Sequence, residues 1–261
     1  MPRLALGCAL LLASAATPSA PPLVPVAARV PVLVELFTSE GCSSCPPADR
    51  ELAELVARQP VPGAEVVPVS LHVDYWNRLG WTDPFSSAQA TERQSAYASF
   101  FSGSRFFGTP RVYTPQMVVD GAAELVGSDS AKARSAIAEA ARLPKGQVVL
   151  TRDRLSPGGV PIGVRVTLPR GAGAGDVLLV VTEDALSTDV RRGENAGRRL
   201  AHTGVARAIV KLGVVGSDGS FEHRAVVAVE EGWRLEALSA VVFVQETRGR
   251  RVLAVGRLAL G

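Results

Sequence analysis

The stretch VELFTSEGCSSCPPADR, Val34 to Arg50, sets Cys42 and Cys45 at C-x-x-C spacing between an apolar run and a proline pair. The run Val30 to Phe37 (VPVLVELF) is short and rich in valine, the pattern of a buried strand. Pro46 and Pro47 suit the first turn of a helix, and Asp49 suits the positive end of its dipole. Leu52, Leu55 and Val56 recur at helical spacing to about Arg58, where Pro60 and Pro62-Gly63 stop the helix. The two cysteines therefore stand between a strand and the start of a helix.

Working outward, Glu65 to His72 (EVVPVSLH) reads as a second strand. The loop DYWNRLGWTDPFSS follows, and Ser86 or Ser87 caps a helix running to about Phe101. Val112 to Asp120 (VYTPQMVVD) reads as a third strand, Asp120-Gly121 as a hairpin turn, and Ala123 to Val126 as the return strand. Ser128 is placed to cap an alanine-rich helix ending near Leu143. Strands alternating with helices imply parallel pairing, and the hairpin adds an antiparallel edge.

This order, with a dithiol at the first helix N-terminus and Thr114-Pro115 before the third strand, resembles the thioredoxin layout, which places a cis-proline there against the dithiol. The segments VELFTSEGCSSCPPADR, SLHVDYWNRLGWTDPFSS, TERQSAY, YTPQMVVDG, RRGENAGRRLAHTGVAR and AVVFVQE resemble, more narrowly, a family of secreted bacterial thioredoxin-like proteins of unknown function. The resemblance implies an α/β thioredoxin-like domain followed by a β-rich domain, and no substrate. At His202-Thr203-Gly204-Val205-Ala206-Arg207 the chain departs from that family's pattern, so His202 is assigned no role.

The chemistry expected of the pair is thiol-disulfide exchange. A thiolate is the attacking species, and a helix N-terminus lowers a thiol's pKa below its free value of about 8.5. Cys42 would attack and Cys45 resolve, with Pro115 and Thr114 presenting backbone to an extended substrate. Glu35 interrupts an apolar strand and resembles the buried acid that relays the resolving thiol's proton, although one extra residue separates it from the first cysteine; a strand-edge acid satisfied by solvent or an arginine is the alternative. Trp76 and Trp81, flanked by Asp74 and Asp83, would line the site, while most of the neighbouring aromatics, Tyr75 to Tyr113, would pack the core. His72 and Asp74 are further candidates for proton transfer. Two other fates stay open for the cysteines. One is a static cross-link, weakly motivated because short loops constrain the unfolded chain least. The other is a copper(I) site with Met117 and His72. A non-catalytic binding module on the same scaffold is the rival functional class.

From Gln147 onward helices become scarce. Val160 to Leu168 alternates strictly, and Val177 to Thr182, Arg224 to Val229, Ala240 to Glu246 and Val252 to Leu260 are further strands between turns. An antiparallel β-sandwich-like domain over 145–261 is expected, joined at Leu143-Pro144-Lys145-Gly146 to a thioredoxin-like domain over 30–144. The segment VRRGENAGRRLAHTGVARAIVK, with Arg191, Arg192, Arg198 and Arg199, reads either as an anion- or partner-docking loop or as a glycine-punctuated hairpin with solvated charges. Glu194-Asn195 within it could lock the loop onto the first domain.

The first 16 residues read as a cleaved signal peptide, with Cys8 inside it, and 17–29 as a proline-rich extended tether. The faint lipobox Leu6-Gly7-Cys8 lacks an apolar segment before it. An exported, periplasmic or extracellular chain is therefore expected, in an oxidising compartment. The net charge of +3 over 261 residues is too small for a nucleic-acid partner. No transmembrane run follows the leader. No cofactor or metal is implied, and the expected partner is a disulfide- or thiol-bearing protein.

Overall fold

A computed structural model describes residues 28–101, 112–216 and 218–261. The signal peptide, most of the tether, Cys8, Phe106 and Phe107 lie outside the described residues. In chain order the elements are β1 (Val30–Thr38), α1 (Pro46–Arg58), β2 (Ala64–His72), α2 (Ala88–Phe101), β3 (Gln116–Val119), β4 (Ala123–Val126), α3 (Ser130–Ala140), β5 (Gln147–Arg152), β6 (Val160–Thr167), β7 (Gly175–Glu183), β8 (Leu186–Asp189), β9 (Arg199–His202), β10 (Val205–Val215), β11 (Ser220–Val227), β12 (Leu238–Glu246) and β13 (Val252–Ala259).

The architecture is mixed α/β around one large sheet of eight strands, ordered β13-β12-β7-β10-β2-β1-β3-β4. β1 and β2 pair in parallel, and β3 lies antiparallel to β1 with β4 on the edge. β1 is apolar apart from Glu35 and Thr38 because both of its faces are covered. Val32, Val34 and Leu36 pack with Leu52 and Leu55 of α1 and Ile137 of α3. Leu33 and Phe37 point the other way, toward Tyr97 of α2. Asp120 and Gly121 both have positive φ, 49° and 65°, as a two-residue hairpin turn requires. Asp129 rather than Ser128 caps α3, its carboxylate accepting from the Lys132 N–H at 3.1 Å. Ser87 caps α2 through the Ala90 N–H.

The later strands do not form a separate sandwich. β7, β10, β12 and β13 extend the first half's sheet, and β10 meets β2 through the Val205–Ser70 pair. Only the three-stranded sheet β11-β6-β5 stacks against that extension, burying Val160, Ile162, Val164 and Val166 on Leu179, Val181, Ala240 and Val242. β8 and β9 form a two-stranded hairpin outside both sheets. Sequence periodicity marks a strand but not its neighbour, so β7 and β12 were legible as strands while their place in the large sheet was not.

A disulfide set over a buried histidine–carboxylate nest

Cys42 and Cys45 are joined by a disulfide across the turn that enters α1, with Cα atoms 5.4 Å apart. The turn is tight: the Cys42 N–H donates to the Ser39 carbonyl at 3.1 Å and the Cys45 N–H to the Cys42 carbonyl at 3.2 Å. Gly41 makes room for Trp76, whose Cβ would stand 3.2 Å from any Cβ placed there. Cys45 is the helix N-cap, and its carbonyl accepts from the N–H groups of Ala48 and Asp49. The Ser44 hydroxyl lies 3.3 Å from the Cys42 Sγ.

Cys45 and Asp49 are four residues apart, hence on one face of α1. Beneath that face the Asp49 carboxylate accepts the Thr38 hydroxyl at 2.9 Å. Thr38 ends β1 and stands in register with His72, which ends β2. His72 Nδ1 contacts Asp83 Oδ2 at 2.7 Å, with both side chains fully buried. Its ring meets the ring of His202 from β9 edge-on, centroids 4.7 Å apart. His202 Nε2 in turn lies 3.1 Å from Glu40 Oε1, again with both side chains buried. Two carboxylate–imidazole pairs, Asp83–His72 and Glu40–His202, thus interlock below the dithiol turn. His72 Nε2 and His202 Nδ1 have no hydrogen-bond partner among the described residues.

Burial sets the electrostatics of the nest. It raises the Asp49 pKa, against the opposing pull of the two imidazoles and the Thr38 hydroxyl. It also works to lower His72, but the charge and hydrogen bond of Asp83, with help from Asp49 and Glu40, outweigh it and leave His72 raised. Burial pushes Asp83 up as well; there His72 and the N–H groups of Glu40 and Phe85 prevail and hold it low.

The loop between β8 and β9 closes over this turn from the second half of the chain. Asn195, fully buried, donates through Nδ2 to the carbonyls of Glu40 at 2.8 Å and Cys42 at 2.9 Å. Its Oδ1 accepts from Arg198 at 2.7 Å. Glu194 accepts the exposed Ser43 N–H at 2.9 Å, and the Ser43 hydroxyl together with that N–H lowers the Glu194 pKa. Cys42 and Cys45 are both 0% exposed. Neither sulfur is therefore open to solvent, and the loop is hydrogen-bonded to the backbone on both sides of Gly41.

Residues 33–245 match a family model described as "Protein of unknown function (DUF1223)". The chain belongs to this family. A crystal structure of a protein from Agrobacterium tumefaciens is similar at 25% identity and a TM-score of 0.67, over 89% of this chain and 96% of that one. HBP35 of Porphyromonas gingivalis is similar at 13% identity and a TM-score of 0.63, over 90% of this chain and 76% of that one; at that identity the likeness is one of fold alone. No curated protein matches the chain.

For this DUF1223 chain the structure gathers some of the residues singled out in the sequence and scatters others. Trp81 Nε1 donates to Glu40 Oε2 at 2.8 Å, inside the nest. Trp76, packed on Gly41, donates to the Thr114 hydroxyl at 2.9 Å and so ties Thr114 to the dithiol turn. The Thr114–Pro115 peptide is cis, and Pro115 is buried. Glu35 is not under the dithiol. It sits on the α2 face of β1, where Arg93 donates to it at 2.5 and 3.0 Å and the Tyr97 hydroxyl at 2.5 Å. Residues alternate across a strand, so Glu35 and Leu36 cannot both face α1, and Leu36 does. Asp74 turns away to Thr91. Met117 packs in the apolar core between β1, α1 and α3, and His72 Nδ1 is engaged by Asp83. Most of the aromatic cluster is structural: Tyr97 is core, and Phe85 packs edge-on against both histidines.

Glu40, Asp49 and His202 were missed or discounted as site residues, whereas Glu194-Asn195 does lock its loop onto the first half of the chain, as the sequence allowed. One signal was available: in RLAH the alternation of β9 turns Leu200 and His202 inward together, and an inward histidine needs a partner. Among the described residues no helix is long and apolar enough to cross a membrane.

Proposed function

We propose that the protein is an exported thiol-disulfide oxidoreductase working through Cys42 and Cys45 on a thioredoxin-like scaffold. The observation that carries the reading is the disulfide at the first turn of α1, directly above Asp49 and the two carboxylate–histidine pairs. Buried titratable groups with displaced pKa values collect at functional sites, and a disulfide closing so short a loop contributes little to stability.

The oxidised form accepts two electrons. A partner thiolate attacks one sulfur of the pair, a mixed disulfide forms, and the other sulfur leaves as thiolate. A second partner thiol, deprotonated, then attacks the mixed disulfide. The partner departs as a disulfide and the Cys42–Cys45 pair is left as a dithiol. The reverse sequence, opened by the Cys42 thiolate, reduces a partner disulfide. The positive end of the α1 dipole and the Ser44 hydroxyl, 3.3 Å from the Cys42 Sγ, favour a thiolate at Cys42.

The test is alkylation of the reduced mature protein across pH. Cys42 should react much faster than Cys45, with an apparent pKa below the free-thiol value of about 8.5. Equal, slow alkylation with an ordinary pKa leaves the second reading, a static cross-link, which the burial of both cysteines favours.

A further inference from the structure

The β8–β9 hairpin is fastened to the dithiol turn by polar contacts that lie around Cys42. Asn195 holds the carbonyls on either side of Gly41, those of Glu40 and Cys42. Glu194 holds the next exposed amide, that of Ser43, and His202 holds the Glu40 carboxylate. The hairpin belongs to neither larger sheet, and a two-stranded ribbon by itself is marginally stable.

Its tip is braced internally. The Gly197 N–H donates to Val190, the Val190 N–H to Arg198, and the Ala196 N–H to Gly193. Gly193 and Gly197, at φ 76° and 80°, bound the tip, conformations that an L side chain adopts poorly. Leu200 and His202 anchor the base of the ribbon in the core, whereas the braced tip is held to the dithiol turn by the side-chain hydrogen bonds of Asn195 and Glu194 and can lift as one body. Glu194 is solvated and its bond exchanges readily with water. Asn195 is the buried catch, and Arg198 orients its amide.

We propose that the Arg191–Arg198 tip is a gate over the Cys42–Cys45 disulfide: in the closed state seen here the sulfurs are shielded, and they react only when Asn195 releases the carbonyls of Glu40 and Cys42. The inference rests on the dithiol being reactive, and it supplies that dithiol's regulation. A partner gains access by displacing the tip, and its own backbone N–H groups can take over the two carbonyls that Asn195 leaves.

The gate is tested by the rate at which a water-soluble phosphine, which needs no recognition, reduces the disulfide in the full mature chain. Asn195→Ala should raise that rate at least tenfold. Glu194→Ala, at an exposed position that cannot unfold the protein, should raise it about two- to fivefold, in line with one exposed hydrogen bond. Rates within experimental error of the parent for Glu194→Ala, whether or not Asn195→Ala folds, overturn the gate. Faster phosphine reduction with no exchange against protein dithiols keeps the gate and sinks the oxidoreductase reading. Exchange with protein dithiols at parental phosphine rates does the opposite.

Discussion

His72 and Asp83 are a buried pair whose partners cannot be separated cheaply. Removing one side of such a pair strands the other charge, at a cost of about 3–5 kcal/mol. Asp83→Asn should therefore lower unfolding free energy by that order, measured by urea denaturation. The pH sign follows from the shifts. His72 is raised on folding, so its contribution is complete below about pH 6.5, the ordinary imidazole value, and is lost as pH rises through the raised one. Asp83 is lowered, so its contribution is complete above about pH 4 and is lost as pH falls through the lowered value. Thermal stability should plateau between those limits and decline on the alkaline side, and His72→Gln should flatten the alkaline limb. Glu35 provides the contrast. Arg93→Leu should destabilise by a similar amount because it leaves Glu35 buried and unpaired, yet the alkylation pKa of Cys42 should not move. A Cys42 pKa displaced by Arg93→Leu would return Glu35 to the dithiol.

The β3–β4 turn shows how a local signal acquires a tertiary consequence. Asp120-Gly121 is a hairpin turn on sequence grounds alone. A Cβ on Gly121, however, would lie 1.9 Å from the Arg250 carbonyl oxygen of the β12–β13 connection. Gly121→Ala thus meets both an unfavourable φ and a backbone collision, and should cost several kcal/mol, beyond the ~1 kcal/mol of conformational strain alone. Its thermal midpoint relative to Gly63→Ala, where φ is also positive but nothing lies within 4 Å, separates the two effects. At α3, Asp129→Ala removes the cap and should cost about 1 kcal/mol, whereas Ser128→Ala should be near neutral.

One core cluster contains Leu33, Phe37, Val69 and Tyr97 from the first half with Val180, Val241, Phe243 and Val255 from the second. Lys145, inside the sequence boundary, forms a buried ion pair with Asp120 and donates to the Pro31 carbonyl at 2.8 Å, while the Gly146 N–H donates to Leu253. The change from helix-rich to strand-rich sequence at Pro144 is therefore crossed by both sheet and core. A single cooperative unfolding transition is expected by circular dichroism and by tryptophan fluorescence, with coincident midpoints. A chain nicked near Pro144 should stay associated through gel filtration; separation into two folded fragments would show the halves to be independent.

What the sequence by itself determined is the local record: the valine-rich strand into C-x-x-C, the proline-started helix, the Asp-Gly hairpin and the alternating strands after Val160. Each rests on periodicity or on a residue's own backbone preference, and both act over a few residues. Only the tertiary structure decided which strands became neighbours, which face Glu35 occupies, and that Asn195 would reach Cys42 across 153 residues of chain. It also decided that His202 would meet Glu40 and His72. Those outcomes depend on burial and on the pairing of distant charges, which exist only once the sheet has closed and water has been excluded from the space beneath the disulfide.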